Sequence, residues 1–198
     1  MTIATYPAVG ARTFEALLDE AVRFHGHMCP GQVLGVRMAL TGCRAIGIEE
    51  PKAAGKRLAI FAEIDRCAID AIQSVTGVSL GKRTLKHMDY GKMAATFVHV
   101  ERDVAMRVVA RDDARAHAPE WAPGVTGDRN IQIEAYRVMP EETLLTITPV
   151  KVAPGWLDRR RVRVFCDVCG EGINYEREVH IAGLTVCRPC AGQGYLRG

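Results

Sequence analysis

Apolar positions near the start of the chain follow helical spacing. Residues 13–24 carry apolar side chains at i, i+3, i+4, i+7 and i+8, counted from Phe14, which predicts an amphipathic helix with Thr13 as its N-cap. A second helix is predicted after Pro30, because proline is favoured at the first helical position. Residues 43–56 hold two glycines and a proline, and we expect a loop there.

Further along, the pattern changes between strand-like and helical segments. Arg57 to Glu63 predicts a buried strand, and a helix is predicted from Ala68 to a stop at Gly77. The polar, glycine-rich residues 77–91 predict a long loop. The later predicted elements are a strand pair (93–100 and 104–109), a helix (131–139) and a strand (143–152), while residues 112–127 give no assignment. This order predicts an α+β fold with a mixed β-sheet flanked by helices.

The chain is predicted to have two domains. Residues 1–152 form the α+β domain, residues 153–163 form a linker, and residues 164–198 form a small second domain. The linker contains Pro154-Gly155 and the arginine cluster Arg159–Arg161, which indicate an exposed connection. The second domain is too small to fold on hydrophobic burial alone.

Composition narrows the class of protein. The 198 residues are 48% hydrophobic and 25% charged, as in an ordinary globular protein, and the net charge of +3 is too small to imply nucleic acid or a membrane surface as partner. No apolar run approaches the ~18 residues of a membrane span, and residues 1–12 do not resemble a signal peptide. We therefore expect a cytoplasmic protein, in which the seven cysteines indicate metal ligation or reactive thiols.

Four of these cysteines form two CxxC pairs near the C-terminus. Cys166 and Cys169 precede Cys187 and Cys190, with 17 residues between the pairs. Four thiolates at this spacing predict a closed, tetrahedral zinc site that supplies the folding energy of the small domain. Unrelated cysteines or a redox CxxC are the alternatives. A predicted hairpin over 175–186 and a short helix over 187–195 make the segment similar to a treble-clef or zinc-ribbon finger.

The densest cluster of candidate ligands is His25-Gly-His-Met-Cys-Pro-Gly31. With Pro30 at the first helical position, Cys29 is the N-cap, where the helix dipole favours a thiolate. Cys67 begins another predicted helix, after Asp65. Two thiols at helix starts and a nearby imidazole suit an open transition-metal site, with a position left for water or substrate. Cys43, in an apolar helix, is interpreted as a small buried hydrophobe.

These residues carry a resemblance to a known family. The HGHxCPG block followed by Gly35 and Arg37 resembles the FmdE family, named for the E subunit of molybdenum formylmethanofuran dehydrogenase. Segments 63–73, 76–77, 80–82 and 89–92 are similar to later blocks of that family, so the resemblance covers most of residues 14–150. It departs at Val78, where many relatives have a cysteine.

The resemblance implies an α+β core and a metal-binding site. Its ligands would be His27, Cys29 and Cys67, with zinc or another divalent transition metal bound and His25 as the alternative imidazole. Many members of the family also carry a C-terminal zinc finger.

Three functions follow as hypotheses. The first is an enzyme or enzyme subunit of molybdenum or tungsten metabolism, acting on a small molecule. Its catalytic residues would be His27, Cys29, Cys67, Lys82 and His87, and Lys82, Arg83 and Lys92 would bind an anionic substrate or cofactor. The second is a protein that handles a metal or metallocofactor without turnover, as a partner of such an enzyme. The third is a regulator that contacts RNA polymerase or nucleic acid through Arg159–Arg163, although such a charge run is more often a solvated surface. We expect a homodimer, and neither a membrane nor a nucleic acid as partner.

Overall fold

The computed structural model describes residues 12–157 and 162–195. The chain divides into two compact units, Met1–Val152 and Ala153–Gly198. The arginine cluster Arg159–Arg161 of the predicted linker lies outside the described residues. Each unit is described by itself below.

The first unit is a helical layer packed on a β-sheet. Its helices are α1 (Phe14–His25), α2 (Pro30–Ala45), α3 (Pro51–Ala54), α4 (Cys67–Thr76), α5 (Ala114–Trp121), α6 (Asp128–Val138) and α7 (Glu141–Leu144). Its strands are β1 (Leu58–Ala62), β2 (Leu85–His87), β3 (Ala94–His99), β4 (Val104–Ala110) and β5 (Leu145–Val150). A 3-10 turn, Gly55–Arg57, leads into β1.

The five strands form one sheet in the order β2-β1-β3-β4-β5. Strands β1 and β2 are parallel, and the other neighbouring pairs are antiparallel. All residues of β1 and β3 are buried, as expected for strands at the centre of a covered sheet. The predicted mixed sheet flanked by helices is confirmed.

Helix α2 is the centre of the core. Every residue from Gln32 to Cys43 is buried, and the helix is surrounded by packed elements. The guanidinium of Arg37 is wholly buried and donates a hydrogen bond of 2.7 Å to the carbonyl of Tyr136. At Gly35, a Cβ atom would lie 2.3 Å from the carbonyl oxygen of Ala68, so only glycine allows α4 to approach this closely. The contact between α2 and α4 therefore fixes the position of their N-terminal ends relative to each other.

The local predictions mostly match these elements. The hydroxyl of Thr13 accepts from the amide of Ala16, which confirms the predicted cap of α1. Differences occur where an element is too short to show a period: α3 lies in the predicted loop 43–56, and β2 lies in the predicted loop 77–91. Helix α5 occupies part of the unassigned segment 112–127.

The second unit consists of two short hairpins and one helical turn. Strand β6 (Arg163–Phe165) pairs with β7 (Gly172–Asn174), and β8 (Val179–Ile181) pairs with β9 (Leu184–Val186). A short helical turn follows at Pro189–Gln193, within the predicted closing helix. The buried hydrophobic residues described in this unit are Cys166, Ile173 and Val186, too few to hold it together by burial alone.

Candidate metal centres

A short connection between α1 and α2 carries the first candidate centre. Helix α1 ends at His25, and Gly26 caps it in the left-handed conformation at φ 97°. Cys29 is the N-cap of α2 and Pro30 its first helical residue, as predicted. Arg129 of α6 donates to the carbonyl of Met28 and so anchors this connection to the core unit.

Three potential ligand atoms meet in this connection. One ring nitrogen each of His25 and His27 and the sulfur of Cys29 all lie within 4.8 Å of one another. The two imidazole rings are 4.6 Å apart, centre to centre. Cys29 is buried, His25 is half-buried and His27 is exposed, so the group opens toward solvent on the side of His27.

His25 has the environment of a metal ligand. Its Nδ1 lies 2.7 Å from an oxygen of Asp70; because a carboxylate can only accept, Nδ1 carries the proton. The other nitrogen, Nε2, is buried and has no hydrogen-bond partner among the described residues. A buried imidazole nitrogen with a free lone pair, oriented by a carboxylate on the opposite nitrogen, fits a divalent transition metal.

Cys67 adjoins this group without being one of the three. A Cβ atom on Gly31 would lie 2.8 Å from Cβ of Cys67 and 3.6 Å from Sγ of Cys29, so both cysteines flank the first turn of α2. The side-chain amide of Gln32 donates 2.6 Å to the carbonyl of Cys67 and joins the starts of the two helices. Burial raises the pKa of the Cys67 thiol, and its interaction with the thiol of Cys29 raises it further.

The structure therefore brings together more candidate ligands than the sequence pattern indicated. His27 and Cys29 lie in the compact group, His25 joins them, and Cys67 lies beside Cys29. The ligand assignment itself stays a prediction. Sequence reasoning does not find Asp70, although one signal is present: it lies three residues after Cys67 on α4, and positions three apart share a helix face.

A cavity of about 530 Å³ opens beside the group. His25, Cys67 and Asp70 are among the residues that line it. Ile64, Ile69, Leu80 and Leu85 give it apolar walls, and its further polar lining residues are Asp65, Arg66, Gln73 and His87. The volume is in the range of small-molecule sites.

The candidate residues in and next to the predicted loop 77–91 do not all lie at one site. His87, at the end of β2, lines the cavity beside the candidate centre. Lys82 donates 2.9 Å to the carbonyl of Gly77 and lines a separate cavity of about 270 Å³. Arg83 and Lys92 line neither of these two cavities. The roles predicted for Lys82, Arg83 and Lys92 are not supported by a shared location and stay predictions.

The second candidate centre is the cysteine cluster of the second unit. The sulfurs of Cys166, Cys169, Cys187 and Cys190 all lie within 4.8 Å of one another. Those of Cys169 and Cys187 are 3.8 Å apart. Two sulfurs bound tetrahedrally to zinc at about 2.3 Å would be separated by about 3.8 Å, so the cluster fits a zinc finger.

Hydrogen bonds from backbone amides stabilise the thiolate form of a cysteine in this cluster. The amide of Cys187 donates to Sγ of Cys166 at 3.3 Å. Hydrogen bonds from the amides of Cys169 and Cys187 lower the pKa of Cys166 to about 6. Crowding by the other thiols, Cys187 first, raises the pKa of Cys190 to about 12, because each further negative charge in the cluster is unfavourable. A bound cation removes that repulsion.

Fold and sites together define a two-unit α+β protein with cysteine and histidine groups that could hold metal ions. Residues 24–146 match the family model described as FmdE, molybdenum formylmethanofuran dehydrogenase operon. Since this match covers more than half of the chain, the protein belongs to the FmdE family.

Two individual proteins illustrate the similarity. A protein from Syntrophus aciditrophicus that is like FmdE, the E subunit of a tungsten formylmethanofuran dehydrogenase, matches with a TM-score of 0.65 at 19% identity, over 99% of this chain and 100% of that one, which shows a common fold. A protein of Archaeoglobus fulgidus named "Probable S-adenosyl-L-methionine-binding protein" is 28% identical over 90% of this chain. The chain spans 53% of that relative's length. Among the described residues, no helix has the length and apolar character needed to cross a membrane.

Proposed function

We propose that the first unit binds a divalent transition metal, such as zinc, at the group of His25, His27 and Cys29, with Cys67 beside it. The observation that carries this proposal is the buried Nε2 of His25, which lacks a partner among the described residues while Asp70 holds Nδ1. Burial of an imidazole acceptor without a donor is costly, and a metal ion would satisfy it. The nearby sulfur of Cys29 favours a borderline or soft metal.

The centre would serve a small molecule that enters the adjoining cavity. A metal bound there would supply a Lewis acid. Asp70 keeps the proton on Nδ1 of His25, and the apolar walls of the cavity exclude water from a bound ligand. His87, on the cavity wall, offers an imidazole to a bound ligand.

The setting of this activity is the finer part of the proposal. The family's description and the similarity to an FmdE-like protein support an enzyme or accessory subunit in molybdenum- or tungsten-dependent formylmethanofuran dehydrogenase-like metabolism. The same site could instead hold a metal or metallocofactor without turnover. Metal-dependent conversion of a formyl or aldehyde compound would separate the two, since a carrier releases its ligand unchanged.

Metal analysis tests the central claim. Full-length protein purified without added metal is expected to contain two equivalents of divalent metal. Cys187→Ser should lose the equivalent in the second unit, Cys29→Ala the one in the first, and the double variant both. Cys43→Ala is the matched control, because Cys43 is wholly buried in α2 and belongs to neither cluster. Retention of both equivalents by Cys29→Ala would contradict the proposed first centre.

Binding of S-adenosyl-L-methionine is a second candidate function. It is supported by the name of the Archaeoglobus fulgidus relative, which is similar over 90% of this chain, and by a cavity of about 530 Å³ with both apolar and charged walls. Equilibrium dialysis with the radiolabelled compound tests it directly. Absence of saturable binding to the metal-loaded protein would remove this candidate.

A further inference from the structure

The cavity of about 530 Å³ carries two charged side chains that the proposed metal centre does not use. Asp65 and Arg66 lie between β1 and α4 and both line the cavity. In the part of the chain that the structure describes, neither forms an ion pair or a side-chain hydrogen bond with the other or with a third residue. Asp70, the other acid in the lining, is already engaged by His25. One carboxylate and one guanidinium are therefore available to a ligand.

Arg66 directly precedes Cys67 in the sequence, and both residues line the cavity. Among the lining residues, Arg66 alone carries a fixed positive charge. A guanidinium without a partner is a strong binding group for a carboxylate, which it can hold through two parallel hydrogen bonds.

The apolar wall indicates the rest of the ligand. Ile64, Ile69 and Leu80 face the same cavity, and the side chain of Leu80 is 63% exposed. Covering such a leucine with an aliphatic group removes apolar surface from water, which favours binding.

Together these charges point to one class of ligand. A simple anion would be attracted by Arg66 and repelled by Asp65, and a simple amine would meet the opposite pair of forces. We propose that the cavity binds a zwitterion of the α-amino-acid class with an apolar side chain, its carboxylate on Arg66 and its ammonium on Asp65. This inference rests on the proposed function in one respect only. The proposed function places a small molecule in the cavity that adjoins the metal centre, and the inference names the class of that molecule.

Three matched compounds test the charge requirement. Isothermal titration of the full-length, zinc-loaded protein is made with L-norleucine, with hexanoate, which lacks the ammonium, and with n-pentylamine, which lacks the carboxylate. We expect L-norleucine to bind and each analogue to bind about tenfold more weakly or worse, because each leaves one charged group of the cavity without its partner.

Single-residue variants test which residue causes each preference for L-norleucine over an analogue. Arg66→Gln should abolish the preference for L-norleucine over pentylamine, and Asp65→Asn the preference over hexanoate. Arg66→Lys keeps the charge and should keep most of the binding, which distinguishes a binding role from a folding role. Arg115→Gln is the control, since Arg115 is exposed and does not line the cavity.

The outcomes separate this inference from the metal proposal. Equal binding of hexanoate and L-norleucine, or no binding of L-norleucine at millimolar concentration, would overturn the inference whatever the metal content. If Cys29→Ala keeps both metal equivalents while L-norleucine still binds the parent protein with the stated preferences, the metal proposal fails and the ligand class stands. Unchanged zinc content in Arg66→Gln with loss of L-norleucine binding supports both.

Discussion

Replacing Asp70 by asparagine is expected to weaken metal binding at the first centre about tenfold and to leave the cysteine cluster unaffected. The carboxylate of Asp70 accepts from Nδ1 of His25 and leaves Nε2 as the donor to a metal. An asparagine oxygen can still accept this hydrogen bond, but it lacks the negative charge that makes the imidazole a better ligand. The ring orientation is therefore kept while its basicity falls.

The size of the effect follows from the geometry. A hydrogen bond to a charged group contributes about 1.5–3 kcal/mol, and loss of such an outer partner of a metal-bound histidine typically costs about 10–100-fold in affinity. The side chain of Asp70 is 41% exposed, so solvent screens part of its charge. We therefore take the lower end, about tenfold, which corresponds to about 1.4 kcal/mol.

Competition against a chromogenic chelator measures this affinity in the full-length protein. Asp65→Asn is the matched control: it removes the same charge from the same cavity, but among the described residues Asp65 forms no hydrogen bond or ion pair with His25. If Asp65→Asn weakened binding as much as Asp70→Asn, the effect would be a general loss of negative charge. Unchanged affinity in Asp70→Asn would refute the role of His25 as a ligand oriented by Asp70.

Two further predictions concern stability. Gly35→Ala should lower the free energy of unfolding by up to about 2 kcal/mol in urea denaturation, since a Cβ atom 2.3 Å from the carbonyl oxygen of Ala68 places the overpacking at the upper end of about 1–3 kcal/mol, against a gain of ~1 kcal/mol in helix propensity; an unchanged midpoint would mean that α4 can shift away. Cys43→Ala should become less destabilising at high pH. Burial raises the pKa of the Cys43 thiol from 9.0 to about 12, so above pH 9 the unfolded chain loses a proton that the folded protein keeps, and the stability of the parent falls as pH rises. The deficit of Cys43→Ala should be about 1 kcal/mol smaller at pH 10 than at pH 8, and a pH-independent deficit would contradict this reasoning.

The sequence predicts those parts of the fold whose signals are local. Thr13 as a cap and Pro30 at a first helical position each act within one turn of chain, and the structure has them as predicted. Strand β2 escapes prediction because three residues show no period and its pairing with β1 is decided by tertiary contact. The sequence analysis assigns Lys82 to the site because Lys82 and His87 lie in the same glycine-rich loop. In the structure the chain turns between these two residues, and they line separate cavities.

The candidate site likewise combines features that are visible in the sequence with features that are not. The crowding of His25, His27 and Cys29 is visible in the sequence because the three residues lie in one short segment. The contact of His25 with Asp70, 45 residues further along the chain, is not visible there. Long-range contacts of single polar atoms leave no periodic trace in a sequence.

The short span from His25 to Cys29 also affects how a metal would couple to folding. Ligands this close in sequence cost little chain entropy to bring together, so the unfolded chain would retain affinity for the ion. Any affinity of the unfolded state subtracts from the stabilisation that a metal gives. In the second unit the two cysteine pairs are 17 residues apart, and an ion there would favour the folded state far more strongly. Chelation should therefore unfold the small unit and leave the larger one folded around an empty first centre.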